Sequence, residues 1–208
     1  MILHGYFRST ATYRVRIALN LKGLTYTDAF HHLRKGEQRA PAYLAVNPQG
    51  LVPALEVNGD ILTQSIAICE YLDETCPEPP LLPADPVARA HVRAVALVIA
   101  CDVHPVQNLK ILDRLRGLGV GKEDVVGWAR TVIEDGLEAC ARLIGDDGGP
   151  YCLGERPTLA DICLVPQLVN ARRFGARTDY GRIGAIEAAC LALPAFAAAA
   201  PQAQSDAE

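Results

Sequence analysis

The 208-residue sequence lacks several features that would assign it to other classes of protein. Its formal net charge is −4, so it has no excess of basic residues for nucleic-acid binding. Its longest apolar run, Ala94 to Cys101, is too short to span a bilayer. The first ten residues lack the basic start and the cleavage pattern of a signal peptide. These absences predict a cytoplasmic protein with no membrane or nucleic-acid partner.

Cysteine is present, but it is not arranged for cross-linking or for metal binding. The seven cysteines are an odd number, and they form neither a CxxC pair nor a Cys/His spacing typical of a metal site. Several lie in apolar patterns typical of helices, where a buried thiol behaves as a small hydrophobic side chain. The pattern predicts a protein with reduced thiols and no metal centre.

One stretch combines a hairpin signal with the start of a helix. Asn58-Gly59 lies between two short apolar runs, which predicts a β-hairpin. The apolar pattern of 66–72 then predicts a helix, and Ser65 is placed to be its N-cap. Because a helix N-terminus offers unpaired N–H groups and a positive dipole end, we expect a small anionic ligand here.

The first half of the chain alternates strand and helix patterns. It predicts a strand over 1–7, a helix over 13–22 after a polar loop, a second strand over 25–30 and an irregular segment over 33–45 with one helical turn. The hairpin and helix complete a β-α-β-loop-β-β-α order. The first two strands would be joined by a crossover, with an antiparallel hairpin attached to the sheet.

The second half is predicted to be helical. Residues 75–86 contain five prolines in twelve residues, which predicts a stiff linker. Beyond it the patterns predict helices over 87–103, 106–118, 122–144 and from Thr158 onward, weaker helices within 181–200, and a frayed tail over 202–208. Thr158 and Asp161 have capping-box spacing, so we assign both to structure. The predicted domains are 1–77 and 87–208, with a linker over 78–86.

Several segments together resemble the soluble glutathione transferases, most closely their zeta class. That class includes the glutathione-dependent maleylacetoacetate and maleylpyruvate isomerases. The segments that carry the resemblance are Arg8-Ser9, Arg14–Leu19, Asn47–Leu55, Gln64-Ser65, Asp102–Asn108, Leu159–Asp161 and Leu164–Gln167. The resemblance implies an α/β thioredoxin-like domain followed by an all-α domain, glutathione as cofactor, and a homodimer.

The resemblance also implies which residues bind glutathione. Val52 would present its backbone to the cysteinyl part beside a cis-Pro53, although an ordinary edge-strand proline is an alternative. Gln64 and Ser65 would bind the γ-glutamyl carboxylate. The other residues implied for glutathione are Gln38 and Gln49 toward its glycyl end, and His104 and Asn108, which at a spacing of four would share a helical face.

One departure from the family pattern affects the residue that activates the thiol. The usual Ser-Ser-Cys at the start of the first helix is Ser9-Thr10-Ala11 here, so the role of the cysteine is not transferred. A hydroxyl donor at a helix N-terminus lowers a thiol pKa. Ser9 is the first candidate, Thr10 the second and Thr12 the third.

The implied reaction is a cis–trans isomerisation of a dicarboxylate. Arg8 and Arg173 are the candidates for binding its carboxylates, with Arg172 an open alternative to Arg173. Lys110 replaces an arginine of the maleylpyruvate enzymes, so we include it as a substrate-binding candidate.

Several other interpretations remain open. The protein could be a general conjugating transferase or peroxidase, or a non-catalytic scaffold with the same fold. Tyr6 or Tyr13 could activate the thiol, as tyrosine does in other transferase classes. Arg14 and Arg16 are assigned to salt bridges or an interface. His104 could instead be a surface residue beside Pro105.

Overall fold

The structure is a computed structural model that describes residues 1–146 and 148–208. Its strands are β1 (Ile2–Gly5), β2 (Thr27–Phe30), β3 (Ala54–Val57) and β4 (Asp60–Thr63). Its α-helices are α1 (Thr10–Leu21), α2 (Pro41–Val46), α3 (Ser65–Thr75), α4 (Pro86–Leu97), α5 (Leu109–Gly117), α6 (Lys122–Ile144), α7 (Leu159–Arg173), α8 (Ile183–Leu191) and α9 (Pro194–Ala199).

The four strands form one sheet in the order β2-β1-β3-β4. Strand β1 runs parallel to β2 and antiparallel to β3, and β3 is antiparallel to β4. Asn58 and Gly59 have φ values of 52° and 90°, which a tight two-residue hairpin requires at both positions. The predicted crossover of the first two strands, the attached hairpin and the helix after it are confirmed.

The described residues group into two compact units. The first comprises Met1–Leu81 and Leu191–Glu208, and the second comprises Leu82–Cys190. In the first unit α9 contacts α1, and the Tyr13 hydroxyl donates a hydrogen bond of 3.3 Å to the Phe196 carbonyl oxygen. Residues 191–208 therefore belong with the sheet, which differs from the predicted domain of 87–208.

The C-terminal segment is held to the first unit. Phe7 N–H donates a hydrogen bond of 2.9 Å to Asp206 Oδ2. His32 Nε2 lies 2.8 Å from Glu208 Oε1. The prediction of a frayed tail is wrong, because specific polar contacts tie it to the residues after β1 and to the loop after β2.

The core of the first unit lies between the sheet and helices α1 and α3. Side chains from all of these elements are fully buried there, among them Leu3, Ile17, Leu19, Leu55, Ile68 and Leu72. Helices α1 and α3, which also contact each other, therefore bury their apolar side chains against the sheet.

The second unit is helical, as predicted. Helix α6 has the predicted limits, and Thr158 and Asp161 form the predicted capping box at the start of α7. The Asp161 carboxylate accepts hydrogen bonds from the backbone N–H groups of Cys152 (2.8 Å) and Thr158 (2.7 Å). The structural assignment of this pair is confirmed.

The chain near His104 differs from the prediction. Helix α4 continues as a π-helical segment over Val98–Val103, and the residues after it form a turn. Pro105 lacks an N–H group, so a helix cannot continue regularly through it. Asn108 has an extended backbone and is the N-cap of α5. The expectation that His104 and Asn108 share a helical face is therefore wrong.

The overall fold class is confirmed as a thioredoxin-like unit and a helical unit. In the parts of the chain that the structure describes, no helix is both long and apolar enough to cross a membrane.

Candidate functional site

Ser9 is the N-cap of helix α1, which begins at Thr10 rather than at the predicted Tyr13. Ser9 Oγ accepts a hydrogen bond of 3.1 Å from the Thr12 N–H group. Because the oxygen already acts as an acceptor, the hydroxyl hydrogen remains to be donated to another group. Ser9 is partly exposed, so a ligand can reach it.

The other two hydroxyl candidates are less accessible. Thr10 is only 5% exposed and Thr12 only 1%. A Cβ atom placed on Gly5 would lie 2.5 Å from Thr12 Cγ2, so Thr12 packs against strand β1. Burial against the strand agrees with its position as the third candidate.

The two tyrosine alternatives are buried. Burial raises the pKa of Tyr6, whose side chain is only 5% exposed. Tyr13 is 1% exposed, and its hydroxyl donates to the Phe196 carbonyl. Neither tyrosine has the exposure that Ser9 has at the start of α1.

The loop before β3 is held by two side chains from helix α2 and its C-cap. The Leu51 carbonyl oxygen accepts hydrogen bonds from the Tyr43 hydroxyl (2.6 Å) and from Asn47 Nδ2 (2.7 Å). The following Val52-Pro53 peptide bond is cis, as predicted, and β3 is an inner strand rather than an edge strand. Sequence reasoning assigned no role to Tyr43 or Asn47. Asn-Pro at 47–48 is a turn signal that could have indicated Asn47.

Gln38 lies beside this loop. Its side chain is 8% exposed, and its Oε1 atom has no hydrogen-bond partner in the described chain. A Cβ atom on Gly50, where φ is 61°, would lie 3.1 Å from the Gln38 carbonyl oxygen. The structure thus places the Gln38 backbone next to Gly50, while the role of Gln38 at the glycyl end stays a prediction.

Gln64, and not Ser65, is the N-cap of helix α3. Gln64 has φ 68° and ψ 115°, a conformation that few residues other than glycine adopt. Ser65 is therefore the first residue of the helix, and the prediction that it is the N-cap is wrong. The positive φ turns the chain sharply from β4 into α3, so that the helix starts one residue earlier than a serine cap would allow. Strained backbone of this kind clusters at ligand-binding sites.

Ser65 is in contact with a buried arginine. Arg14 Nη1 donates a hydrogen bond of 3.2 Å to Ser65 Oγ, and the two side chains are 1% and 6% exposed. Among the described residues neither Arg14 nor Arg16 forms the expected salt bridge, and the alternative that they cover an interface stays a prediction. Arg16 donates instead to the carbonyl oxygens of Phe7 (3.1 Å) and Ala199 (2.9 Å).

His4 in strand β1 and His31 just after β2 both contact the Tyr43 ring. His4 Nε2 lies 2.6 Å from Glu56 Oε1, and His4 Nδ1 lies 2.9 Å from His31 Nε2. The His31 ring packs on the Tyr43 ring with centroids 4.2 Å apart. Burial and the neighbouring His4 lower the pKa of His31, while burial raises the pKa of Tyr43 to about 12. Both histidines are thus hydrogen-bonded.

The remaining predicted residues divide between the two units. Arg8 is partly exposed, and its guanidinium carbon lies 5.9 Å from the Phe7 ring centroid. His104, Asn108, Lys110 and Arg173 belong to the second unit. Asn108 Oδ1 accepts a hydrogen bond of 2.8 Å from the Lys110 N–H group.

Arg172 is committed to a structural contact. Its two terminal nitrogens donate to the two carboxylate oxygens of the buried Glu187, and this pairing raises the Arg172 pKa. A bidentate pair of this geometry joins α7 to α8. Arg172 is therefore a poor candidate for substrate binding, and the role of Arg173 stays a prediction.

The residues of the first unit fit a small ligand that carries a carboxylate and a thiol. Ser65 and the first amides of α3, with Arg14 behind them, suit a carboxylate. Ser9 at the start of α1 offers a hydroxyl donor of the kind that stabilises a thiolate. Both the carboxylate and the thiol of glutathione thus find suitable donors on this unit.

Comparison with known proteins agrees with this chemistry. Residues 8–75 match the family described as "Glutathione S-transferase, N-terminal domain", and residues 87–190 match "Glutathione S-transferase, C-terminal domain". The chain therefore belongs to the glutathione S-transferase family.

Its relatives within that family include zeta-class isomerases. Maleylacetoacetate isomerase of Pseudomonas aeruginosa is 50% identical over 99% of this chain and 98% of its own length. The holo structure of a maleylpyruvate isomerase, described as a bacterial zeta-class transferase, is 45% identical over the whole of both chains, with a TM-score of 0.96. The structure of maleylacetoacetate isomerase from Methylobacterium extorquens AM1, with bound malonate and glutathione, is 39% identical over the whole of both chains, also with a TM-score of 0.96.

Proposed function

We propose that the protein is a glutathione-dependent isomerase that converts maleylacetoacetate or maleylpyruvate to its fumaryl isomer. Full-length similarity to isomerases with both names carries the reaction class. The N-cap hydroxyl of Ser9 is the single structural observation that carries the mechanism, because thiolate chemistry needs such a donor.

When bound, glutathione would supply a thiolate nucleophile, whose reversible addition to the double bond would allow the cis–trans rotation. Ser9 donates its hydroxyl hydrogen to the sulfur and favours the thiolate form. Thr10 is the second donor candidate. The dipole of α1 adds positive potential at the same point.

The other predicted residues hold the two small molecules. Val52 and Pro53 position the cysteinyl part of glutathione, Gln64 and Ser65 the γ-glutamyl part, and Gln38 and Gln49 the glycyl part. His104 and Asn108 are proposed as further glutathione contacts from the helical unit.

Arg8 and Arg173 are proposed to bind the substrate carboxylates, and Lys110 is a weaker candidate. Two arginines suit a dicarboxylate because each guanidinium can donate two parallel hydrogen bonds to one carboxylate. A transferase for uncharged electrophiles would not need them. We place the enzyme in the cytoplasm as a homodimer, in keeping with the scattered spacing of its cysteines and with its family.

Stopped-flow absorbance of both substrates, with and without glutathione, tests the reaction. We expect rapid glutathione-dependent isomerisation and little conjugation of an aromatic halide. Ser9→Ala should shift the rise of kcat/KM to higher pH, because the thiol pKa is less depressed. Thr131→Ala, which removes an exposed hydroxyl of α6, should not.

The outcomes separate the competing functions. A protein that binds glutathione but conjugates electrophiles without isomerising either substrate would be a general transferase. A protein that fails to bind a glutathione affinity column would be a scaffold. Loss of activity in Arg8→Ala and Arg173→Ala, with a raised KM, would support the carboxylate contacts, whereas unchanged kcat and KM in both would contradict them.

A further inference from the structure

Arg14 is a buried cation with few partners. Its side chain is 1% exposed, and one nitrogen, Nη1, donates to Ser65 Oγ. The Nε and Nη2 atoms have no hydrogen-bond partner among residues 1–146 and 148–208. A guanidinium remains charged at any physiological pH, and burial of an unpaired charge is costly. The neighbourhood of Arg14 therefore favours an anion.

Arg16 provides a contrast on the same helix. It is also 1% exposed, but its Nε and Nη2 atoms donate to the carbonyl oxygens of Ala199 and Phe7. Those contacts tie α1 to the end of α9 and to the residues after β1, which is a structural role. The Arg14 side chain makes a different contact, since its one hydrogen bond to a described residue leads to Ser65.

The bond to Ser65 fixes the direction in which that hydroxyl can donate. Ser65 Oγ uses one lone pair to accept from Arg14, so its hydrogen is directed away from the guanidinium. Ser65 is the first residue of α3, where backbone N–H groups lack partners within the helix. A carboxylate placed at that helix start would receive the hydroxyl hydrogen as well as the amides.

We propose that Arg14 is a positioning residue for the γ-glutamyl α-carboxylate of glutathione, acting through Ser65. It orients the Ser65 hydroxyl toward the carboxylate and places a positive charge behind it in a region shielded from water. The inference rests on the proposed function, since it assumes that Ser65 binds this part of glutathione. Arg14 would thus contribute to glutathione binding without touching the ligand itself.

The test compares two ligands by calorimetric titration. One is glutathione, and the other is the same tripeptide with 4-aminobutyrate in place of the γ-glutamyl residue, which keeps the amine and the chain length but lacks the α-carboxylate. The wild type should prefer glutathione. Arg14→Met should weaken glutathione binding by about tenfold, as expected for loss of a charge-assisted contact, and leave the affinity for the analogue unchanged.

Arg16→Met is the matched control. It removes an equally buried arginine from the same helix, so it should lower stability at least as much. We expect it to change the affinities for the two ligands by the same factor. An Arg14→Met variant that weakens both ligands equally, or neither, would overturn the inference and assign Arg14 a structural role only.

Two further variants keep the test decisive if Arg14→Met fails to fold. Arg14→Lys retains the charge, and Arg14→Gln retains an N–H donor without the charge. The preference for glutathione should be greatest in the wild type, smaller in Arg14→Lys and smallest in Arg14→Gln; equal preference in all three proteins would contradict the proposal. A wild type that binds neither ligand would overturn the proposed function with it. A wild-type preference that survives every change at Arg14 would overturn this inference alone.

Discussion

The side-chain amide of Gln64 donates a hydrogen bond of 2.8 Å to the side-chain carbonyl oxygen of Gln49. Gln64 precedes helix α3, and Gln49 lies in the loop before the cis-proline. Two residues predicted to bind different parts of glutathione are therefore hydrogen-bonded to each other. This bond joins the loop to the start of the helix.

We expect Gln49→Ala and Gln64→Ala each to raise the Kd for glutathione by about fivefold, because each loses roughly 1 kcal/mol of hydrogen bonding. The double variant should be less than additive, since the first substitution already breaks the shared bond. Calorimetric titration measures the cycle, with the exposed Gln202→Ala as control. Strict additivity would show that the bond does not organise the site.

Asp161 should be the residue whose loss most destabilises the helical unit. It is fully buried and accepts hydrogen bonds from Cys152 N–H, Thr158 N–H and the Thr158 hydroxyl. Asp161→Ala should lower the free energy of unfolding by about 3–5 kcal/mol, since three donors lose their acceptor. Urea unfolding measures this change. Thr158→Ser keeps the hydroxyl and should cost far less; a similar loss in both variants would contradict the argument.

Stability should decline with acidification through His31. Its pKa in the folded protein is lowered, by burial first and by His4 second, from an ordinary value of 6.5. Around and below that ordinary value the unfolded chain therefore binds more protons at this position than the folded one. The contribution of His31 to stability is present in full above pH 6.5 and is lost as the pH falls through the lower folded pKa.

His31→Phe should flatten that decline, because an uncharged ring can replace the packing on Tyr43 but cannot take up a proton. Urea unfolding at about pH 7.5 and about pH 5.5, on either side of the ordinary histidine pKa, gives the slope for the variant and for the wild type. The exposed His91→Gln serves as control, since it lies on α4 in the other unit. An unchanged slope in His31→Phe would assign the acid sensitivity to other groups.

Two glycines of helix α6 should respond in opposite directions. A Cβ atom on Gly136 would lie 2.0 Å from Val103 Cγ2, whereas one on Gly127 would meet nothing within 4 Å. Gly136→Ala should therefore destabilise by about 1–3 kcal/mol through overpacking. Gly127→Ala should stabilise by about 0.5–1 kcal/mol through helix propensity. Thermal unfolding of both variants measures the contrast, and equal shifts would contradict close packing at Gly136.

The elements that local sequence determines were predictable. Asn58-Gly59 encodes its hairpin through backbone conformation, Thr158 and Asp161 encode a helix start, and the length of α6 follows from its apolar period. The cis bond before Pro53 and the glutathione chemistry came from resemblance to a family. No local rule would have given either.

The features that sequence reasoning missed depend on contacts between distant residues. Gln64 takes the N-cap position through a positive φ that its side chain does not favour, so propensity pointed to Ser65 instead. Arg14 carries no local sign that its partner is a hydroxyl fifty-one residues away. His104 and Asn108 have helical spacing, but Pro105 between them prevents a regular helix.

The division of the chain has a consequence for its synthesis. The first unit needs two segments that are far apart in sequence, because α9 packs on α1 and Asp206 holds the Phe7 N–H group next to Arg8 and Ser9. Chains emerge from the ribosome N-terminus first, and domains fold as units as they emerge. The helical unit, which is continuous in sequence, can therefore fold while the ribosome still holds residues 191–208. The unit that carries Ser9 is completed only after that segment has emerged.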